Sequence, residues 1–163
     1  MTERRQRSIH VPGSMKMLEK IYPVCRRLVS PDTWERVEEA CSGDEAVFSE
    51  CLAGEAGRGG QPPYLPDLAR LERAMHLSGE GNREIPGAVD EITANPTIHL
   101  LKVSWKNLPS LLLREEGASP ADPAPGEEML MVWRDPLSGK VLAEAPSDAD
   151  LLALKVVIEG VDA

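Results

Sequence analysis

Histidines, cysteines and clustered carboxylates are the side chains from which metal sites, nucleophiles and acid–base pairs are built, and this chain arranges few of them usefully. His10, His76 and His99 are its histidines. None has a second His, a Cys or a paired carboxylate at a spacing that would put two ligands on one face. Cys25, Cys41 and Cys51 are an odd number, widely spaced and without a Cys-x-x-Cys pair, so free core thiols are expected in place of a zinc site. A nucleophile would need a base and an oxyanion pocket, yet the sequence has neither a Gly-x-Ser-x-Gly elbow nor a local Cys/His signature. Glu35, Glu38 and Glu39 crowd one stretch, but Glu38 and Glu39 are adjacent and project in different directions, which suits the wet face of a helix better than a general acid and base. Gly57-Arg-Gly-Gly lacks the preceding strand and the Gly-Lys-Ser/Thr ending of a phosphate cradle. The expectation is a chain that holds no metal or cofactor and catalyses nothing alone.

Recognition is the chemistry that is left. Lys and Arg number 18 against 27 Asp and Glu, a net charge of −9, and that sign opposes attraction to phosphate backbones. The positive residues gather at the start, where Arg4, Arg5, Arg7, Lys16, Lys20, Arg26 and Arg27 fall within a short span. This span reads either as a solvated arm and helix flank or as a face for an anion or a partner. Trp34, Trp105, Trp133, Tyr22, Tyr64 and Phe48 are too scattered for a base-stacking platform. Most belong in a core, although Trp105, beside Lys106 and Asn107, could be a partly exposed contact. No apolar run approaches the roughly 18 residues of a membrane span, and no secretory leader is visible, so a cytoplasmic location is expected.

The elements that would position these residues are marked by caps and breakers. Ser14 is a candidate cap for a helix holding Met17, Leu18 and Ile21; Pro23 interrupts it, and a second piece carries Val24, Cys25 and Leu28. Ser30-Pro31-Asp32 starts a helix through Trp34, Val37, Glu38 and Cys41 that Gly43 ends. Asp44 is a candidate cap for the next, with Val47, Phe48, Cys51 and Leu52 as its apolar stripe and Gly54 as its stop. After a Gly/Pro-rich loop, Pro66 and Asp67 open a helix over 64–78 whose apolar face is Leu68, Leu71, Met75 and Ala74, with Arg70, Glu72 and Arg73 mainly wet. Beyond Ser78 the pattern turns to short β-branched or aromatic runs: a strand over 97–105, a second over 128–134, a turn at 135–139 and a third strand over 140–144. Residues 115–127 read as a mobile loop, and Ser147 caps a closing helix with Leu151, Leu152, Leu154, Val156 and Ile158. The predicted class is α+β: a basic arm over 1–13, a helical unit over 14–78, and a small α+β unit with a β-hairpin over 79–163.

The wording of three blocks adds a resemblance. Pro-Tyr-Leu-Pro-Asp-Leu-Ala-Arg-Leu-Glu at 63–72 resembles the Leu-Pro-Asp-Leu-Ala-Arg-Leu-Glu-Trp-Ala signature of the HvfC/BufC-type family. That family is often labelled as DNA-binding and includes the methanobactin partner protein MbnC. Arg4-Arg5 through Tyr22-Pro23-Val24-Cys25-Arg26-Arg27-Leu28, followed by Trp34 and Val37, is similar to its Arg-Arg to Phe-Pro-Val-Val-Arg-Arg-Leu run. Asn95-Pro96-Thr97-Ile98-His99-Leu100-Leu101 and Met129 through Pro136 resemble its C-terminal strands. The likeness spans roughly residues 4–159 and contains no catalytic fingerprint. Arg73 stands where the signature usually carries Trp, extra helices expected before Arg4 are lacking, and the chain stops where family members continue. A reduced member, or an accessory domain of a larger peptide maturase, is therefore the expectation.

The resemblance implies a noncatalytic partner in the maturation of ribosomally made peptides, which holds a precursor peptide for a separate peptide-modifying metalloenzyme. An exposed strand edge could take an extended leader by main-chain hydrogen bonding. The strand at 129–134 is the expected edge, with Met129, Met131, Trp133 and Trp105 as peptide-binding residues. Partner docking falls to Arg26 and Arg27 of the basic face and to Asp67 and Arg70 of the signature helix. Taking the family label literally gives the alternative, a DNA-binding transcriptional regulator. The net charge and the want of a basic recognition helix count against it.

Overall fold

A computed structural model describes residues 12–80, 94–112 and 122–159, with side chains from Met17 onward. The basic arm up to residue 11, the boundary segment 81–93 and the loop residues 113–121 lie outside the described residues. The fold is α+β: among the described residues, five helices precede a three-stranded antiparallel sheet and a sixth follows it.

The helices begin where proline and serine signal. α1 (Pro12–Ile21) starts ahead of Ser14, so Pro12 opens it and Ser14 falls inside. Pro23 ends α1 and occupies the first turn of α2 (Pro23–Leu28). α3 (Pro31–Cys41) is capped by Ser30, whose Oγ accepts the Thr33 N–H at 3.3 Å. Asp44 does not cap a helix directly: its carboxylate accepts the Ala46 N–H at 2.8 Å in a local turn, and α4 (Phe48–Ala56) starts later and runs through Gly54. α5 (Leu65–Glu80) is the longest helix among the described residues and lies against all three strands.

The strands are β1 (His99–Lys106), β2 (Ala124–Arg134) and β3 (Val141–Glu144), in the order β1-β2-β3. A short 3₁₀ turn, Leu108–Leu111, follows β1 and buries Leu108 and Leu111; the sequence pattern gave no sign of it. Residues 124–127, expected within a mobile loop, are strand, with Ala124 and Pro125 opposite Lys106 and Trp105. The pairing shifts between Val103 and Trp105, so β2 carries an extra residue there. Gly126 accommodates this bulge at φ +151°, where an added Cβ would lie 2.8 Å from Lys106 Cε. β3 is joined to β2 through the Asp135 turn, closed by Asp135 N–H to Lys140 O at 2.8 Å and Gly139 N–H to Asp135 O at 2.8 Å. α6 (Asp148–Glu159) opens on a reciprocal cap between Ser147 and Asp150 and buries none of its residues.

One continuous core joins the helices to the sheet. Tyr22 stacks on Phe48 with centroids 4.1 Å apart, and Trp34 tilts against Phe48 at 5.1 Å. Leu65, Leu68 and Leu71 carry the cluster along α5 to Val103, Leu130 and Val132 of the sheet. Glu38 and Glu72, both expected on wet faces, are buried at 5% and 3% exposure.

Candidate functional site

Which strand edges are open follows from hydrogen-bond parity. Successive residues of an antiparallel strand direct their backbone polar groups to opposite neighbours. The Lys102 carbonyl and the Ser104 N–H both bond to α5, so the even-numbered residues there face away from β2. The odd residues of β1 then pair with the even residues of β2, and the odd residues of β2 pair with β3 in the Met131–Glu144 and Trp133–Leu142 pairs. The Asp135–Lys140 bond falls in the same phase. On β1's side, the Arg134 N–H donates to Thr97 Oγ1 at 2.9 Å and the Arg134 carbonyl accepts from Asn95 Nδ2 at 2.9 Å. β2 is therefore central, and the expectation that 129–134 is an open edge is corrected. Over Met131–Arg134 its main chain is spent on both sides, because the hairpin adds β3 where a peptide was expected.

The two true edges differ. On β1, Asp67 Oδ2 accepts the Ser104 N–H at 2.7 Å, and Arg70 Nη1 donates both to the Lys102 carbonyl at 2.9 Å and to Asp67 Oδ1 at 3.0 Å. Asp67 and Arg70, expected to dock a partner, form an internal clasp that closes this edge at Lys102 and Ser104. Among the described residues, the outer edge of β3 has no such clasp. Val141 and Ala143 are the residues whose N–H and C=O groups point away from β2, and two adjoining cavities open beside them. The larger, about 330 Å³, is bounded by α1, α2, α5 and Leu112, with Ile21, Val24, Met75 and Val141 in its wall and Lys20 and His76 at its rim. The smaller, about 180 Å³, lies among Met75, Pro109, Leu112 and Val141 through Glu144. Met75, Leu112 and Val141 line both. Gly79 brings α5 close to this edge, since a Cβ there would sit 3.3 Å from Val141 Cγ2.

The expected peptide-binding side chains divide between the two faces. Met129, Met131 and Trp133 share the face of β2 opposite the core, beside Leu100 and Leu142 of the neighbouring strands, and Met129 is 36% exposed. Trp105 is on the inner face, edge-on to Tyr64 with centroids 5.9 Å apart. Arg26 is partly spent: its Nε is 3.1 Å from Glu19 and its guanidinium lies 5.3 Å over the Trp34 ring. Arg27 is exposed.

Glu72 is the side chain whose role the helical pattern concealed. It accepts the N–H groups of Val24 at 2.6 Å and Cys25 at 3.0 Å, which makes it the cap of α2 supplied from another helix. Burial pushes its carboxyl above the ordinary range, and those two N–H bonds oppose the shift. Burial, then the neighbouring Glu72, also pushes the Cys25 thiol well up, so Cys25 is a poor nucleophile. All three thiols are free. Among the described residues no three His, Cys, Asp or Glu side chains converge on a metal-sized space. A further cavity of about 350 Å³, where Arg70, Arg73 and His99 meet Ser49 and Glu50, carries mixed charge. Arg70 is held by Asp67, and Arg73 lies 3.9 Å from Glu45, so the cations are offset locally.

No helix among the described residues is long and apolar enough to cross a membrane. No family model matches the chain, and no curated protein matches it.

Proposed function

We propose that this chain is a noncatalytic accessory protein of ribosomal-peptide maturation, which binds a precursor peptide in extended form and holds it for a separate peptide-modifying metalloenzyme. The observation that supports this reading best is the inequality of the sheet edges. β1 is clasped by Asp67 and Arg70, whereas β3 offers main-chain groups that no described residue clasps, beside apolar cavities. Main-chain bonding supplies affinity for any extended segment, and pockets for alternate side chains supply selectivity. The resemblance of residues 63–72 to the HvfC/BufC-type signature gives the biological setting. In this reading the outer face carrying Met129, Met131 and Trp133 meets the partner enzyme, since Leu100 and Leu142 extend it as an exposed apolar surface.

The reading requires a short cysteine-bearing peptide encoded near this chain, and calorimetric titration of the purified chain with that peptide, together with mass spectrometry of the mixture, tests it. Saturable binding with an unmodified peptide mass is expected. Modification of the peptide by the chain alone would overturn the accessory role, and the lack of any binding would overturn the carrier role.

A further inference from the structure

We propose that the outer edge of β3 selects an extended peptide bearing a large apolar side chain at one position and a smaller apolar side chain two residues away. This rests on the peptide-binding reading above and names the chemistry of its ligand. The occupant must be a strand, because an edge is matched by another run of backbone N–H and C=O groups in the same period. Val141 and Ala143 supply that run. Side chains of an added strand alternate, and residues i and i+2 on one face stand roughly 6.6 Å apart. Those turned toward the helices meet the two cavities in succession.

The cavities differ in size and agree in character. About 330 Å³ between Ile21, Val24, Met75, Leu112 and Val141 has room for an aromatic or long aliphatic group; about 180 Å³ beyond Leu112 suits a smaller one. Their shared wall of Met75, Leu112 and Val141 sets the two subsites side by side. Methionine adapts its shape to different apolar partners, which suits a wall between two subsites. Glu72, at the base of the larger cavity, already has both oxygens bonded to α2 and so does not recruit a cation from the ligand. Lys20, at the rim, is paired with Glu80 at 2.8 Å. Selection is therefore by apolar fit with a main-chain ladder, not by charge.

Fluorescein-labelled decapeptides on a Ser/Thr/Gln host, carrying Phe-x-Val, Val-x-Phe or Ser-x-Ser at the centre, test this by anisotropy and by amide shifts of the labelled protein. One apolar order is expected to bind at least about tenfold tighter than Ser-x-Ser, a difference of roughly 1.4 kcal/mol. The largest amide shifts should fall on Val141 and Ala143, and N-methylation of the ligand backbone should abolish binding. Ala143→Pro removes an outward donor without removing a bond to β2, so it should weaken binding in a folded protein. Met75→Trp should erase the preference by filling both subsites, while Leu137→Ser in the exposed turn should change neither. Peptide binding that shifts Leu100 or Trp133 in place of Val141 and Ala143 would overturn the β3 assignment and leave the peptide-binding reading standing. Failure of all of these peptides to bind, with no saturable binding by a random extended-peptide library either, would overturn both. Val141 and Ala143 amides already protected in the free protein, by residues of the chain itself or by a second copy, would overturn the β3 assignment alone.

Discussion

Glu72 ties the signature helix to the N-terminal helices by a single carboxylate. Two α2 N–H groups, on Val24 and Cys25, depend on it, and each buried donor left unpaired costs about 1–3 kcal/mol. Glu72→Ala should therefore lower stability by on the order of 3 kcal/mol, measured by urea unfolding. The pH dependence has a definite sign. Because burial raises the carboxyl in the folded protein, the folded state binds that proton more tightly than the unfolded chain. The corresponding stability is fully present below the ordinary carboxylate range and is lost as pH rises through the raised folded value. Wild type should thus lose stability relative to Glu72→Gln as pH climbs through that window; a constant difference between the two would refute the assignment. Nothing local in the sequence marks this residue. It follows Leu71 in a helix with a clear apolar stripe, and its partners lie 47 and 48 residues away in sequence, beyond the reach of any periodicity. The free, buried state of Cys25 was legible from cysteine spacing, but its contact with a carboxylate was not.

At the scale of elements, the clasp on β1 is what distinguishes its edge from that of β3. An unpaired edge invites adventitious pairing, and Asp67 and Arg70 from the first two turns of α5 cover β1 at Lys102 and Ser104 with charge-assisted bonds. Asp67→Ala should cost about 1–2 kcal/mol through loss of the bond to the Ser104 N–H. Hydrogen exchange at the Ser104 amide should quicken while exchange in β3 stays the same. Unchanged protection at Ser104 would mean that the clasp does not close the edge in solution. Where the cause is local the caps and turns were readable, as at Ser30 and Ser147 and in the hairpin turn from Asp135 through Gly139, whereas Ser14 and Asp44 were misplaced as caps. Strand order was not readable. Leu130 and Val132 alternate with Met129 and Met131 equally well in a central or an edge strand, so the pattern could place the residues on faces but could not say who their neighbours were. The start of β2 was hidden for a related reason. Pro125 and Gly126 usually break strands, and here a bulge against Trp105 and Lys106 accommodates both.

At the scale of the molecule, charge separates peptide recognition from nucleic-acid recognition. The chain carries −9, and five of its arginines on the described surface have acidic neighbours: Arg26 with Glu19, Arg36 and Arg58 with Glu55, Arg70 with Asp67 and Arg73 with Glu45. Phosphate binding would have to displace these carboxylates while opposing the net field. Apolar capture on β3 meets neither obstacle, because main-chain bonds and buried methyl groups are little affected by ionic strength. Anisotropy titrations from about 50 to 200 mM salt should then separate the two chemistries. A protein making several phosphate contacts loses roughly 10³-fold or more in affinity over that range, whereas peptide affinity should change less than about threefold if few ions are released. A labelled DNA duplex should show no saturable binding at the upper salt concentration. Tight duplex binding with a steep inverse dependence on salt would favour the regulator over the peptide carrier, and a peptide affinity that collapsed in parallel would return Arg26 and Arg27 to the centre of the binding surface.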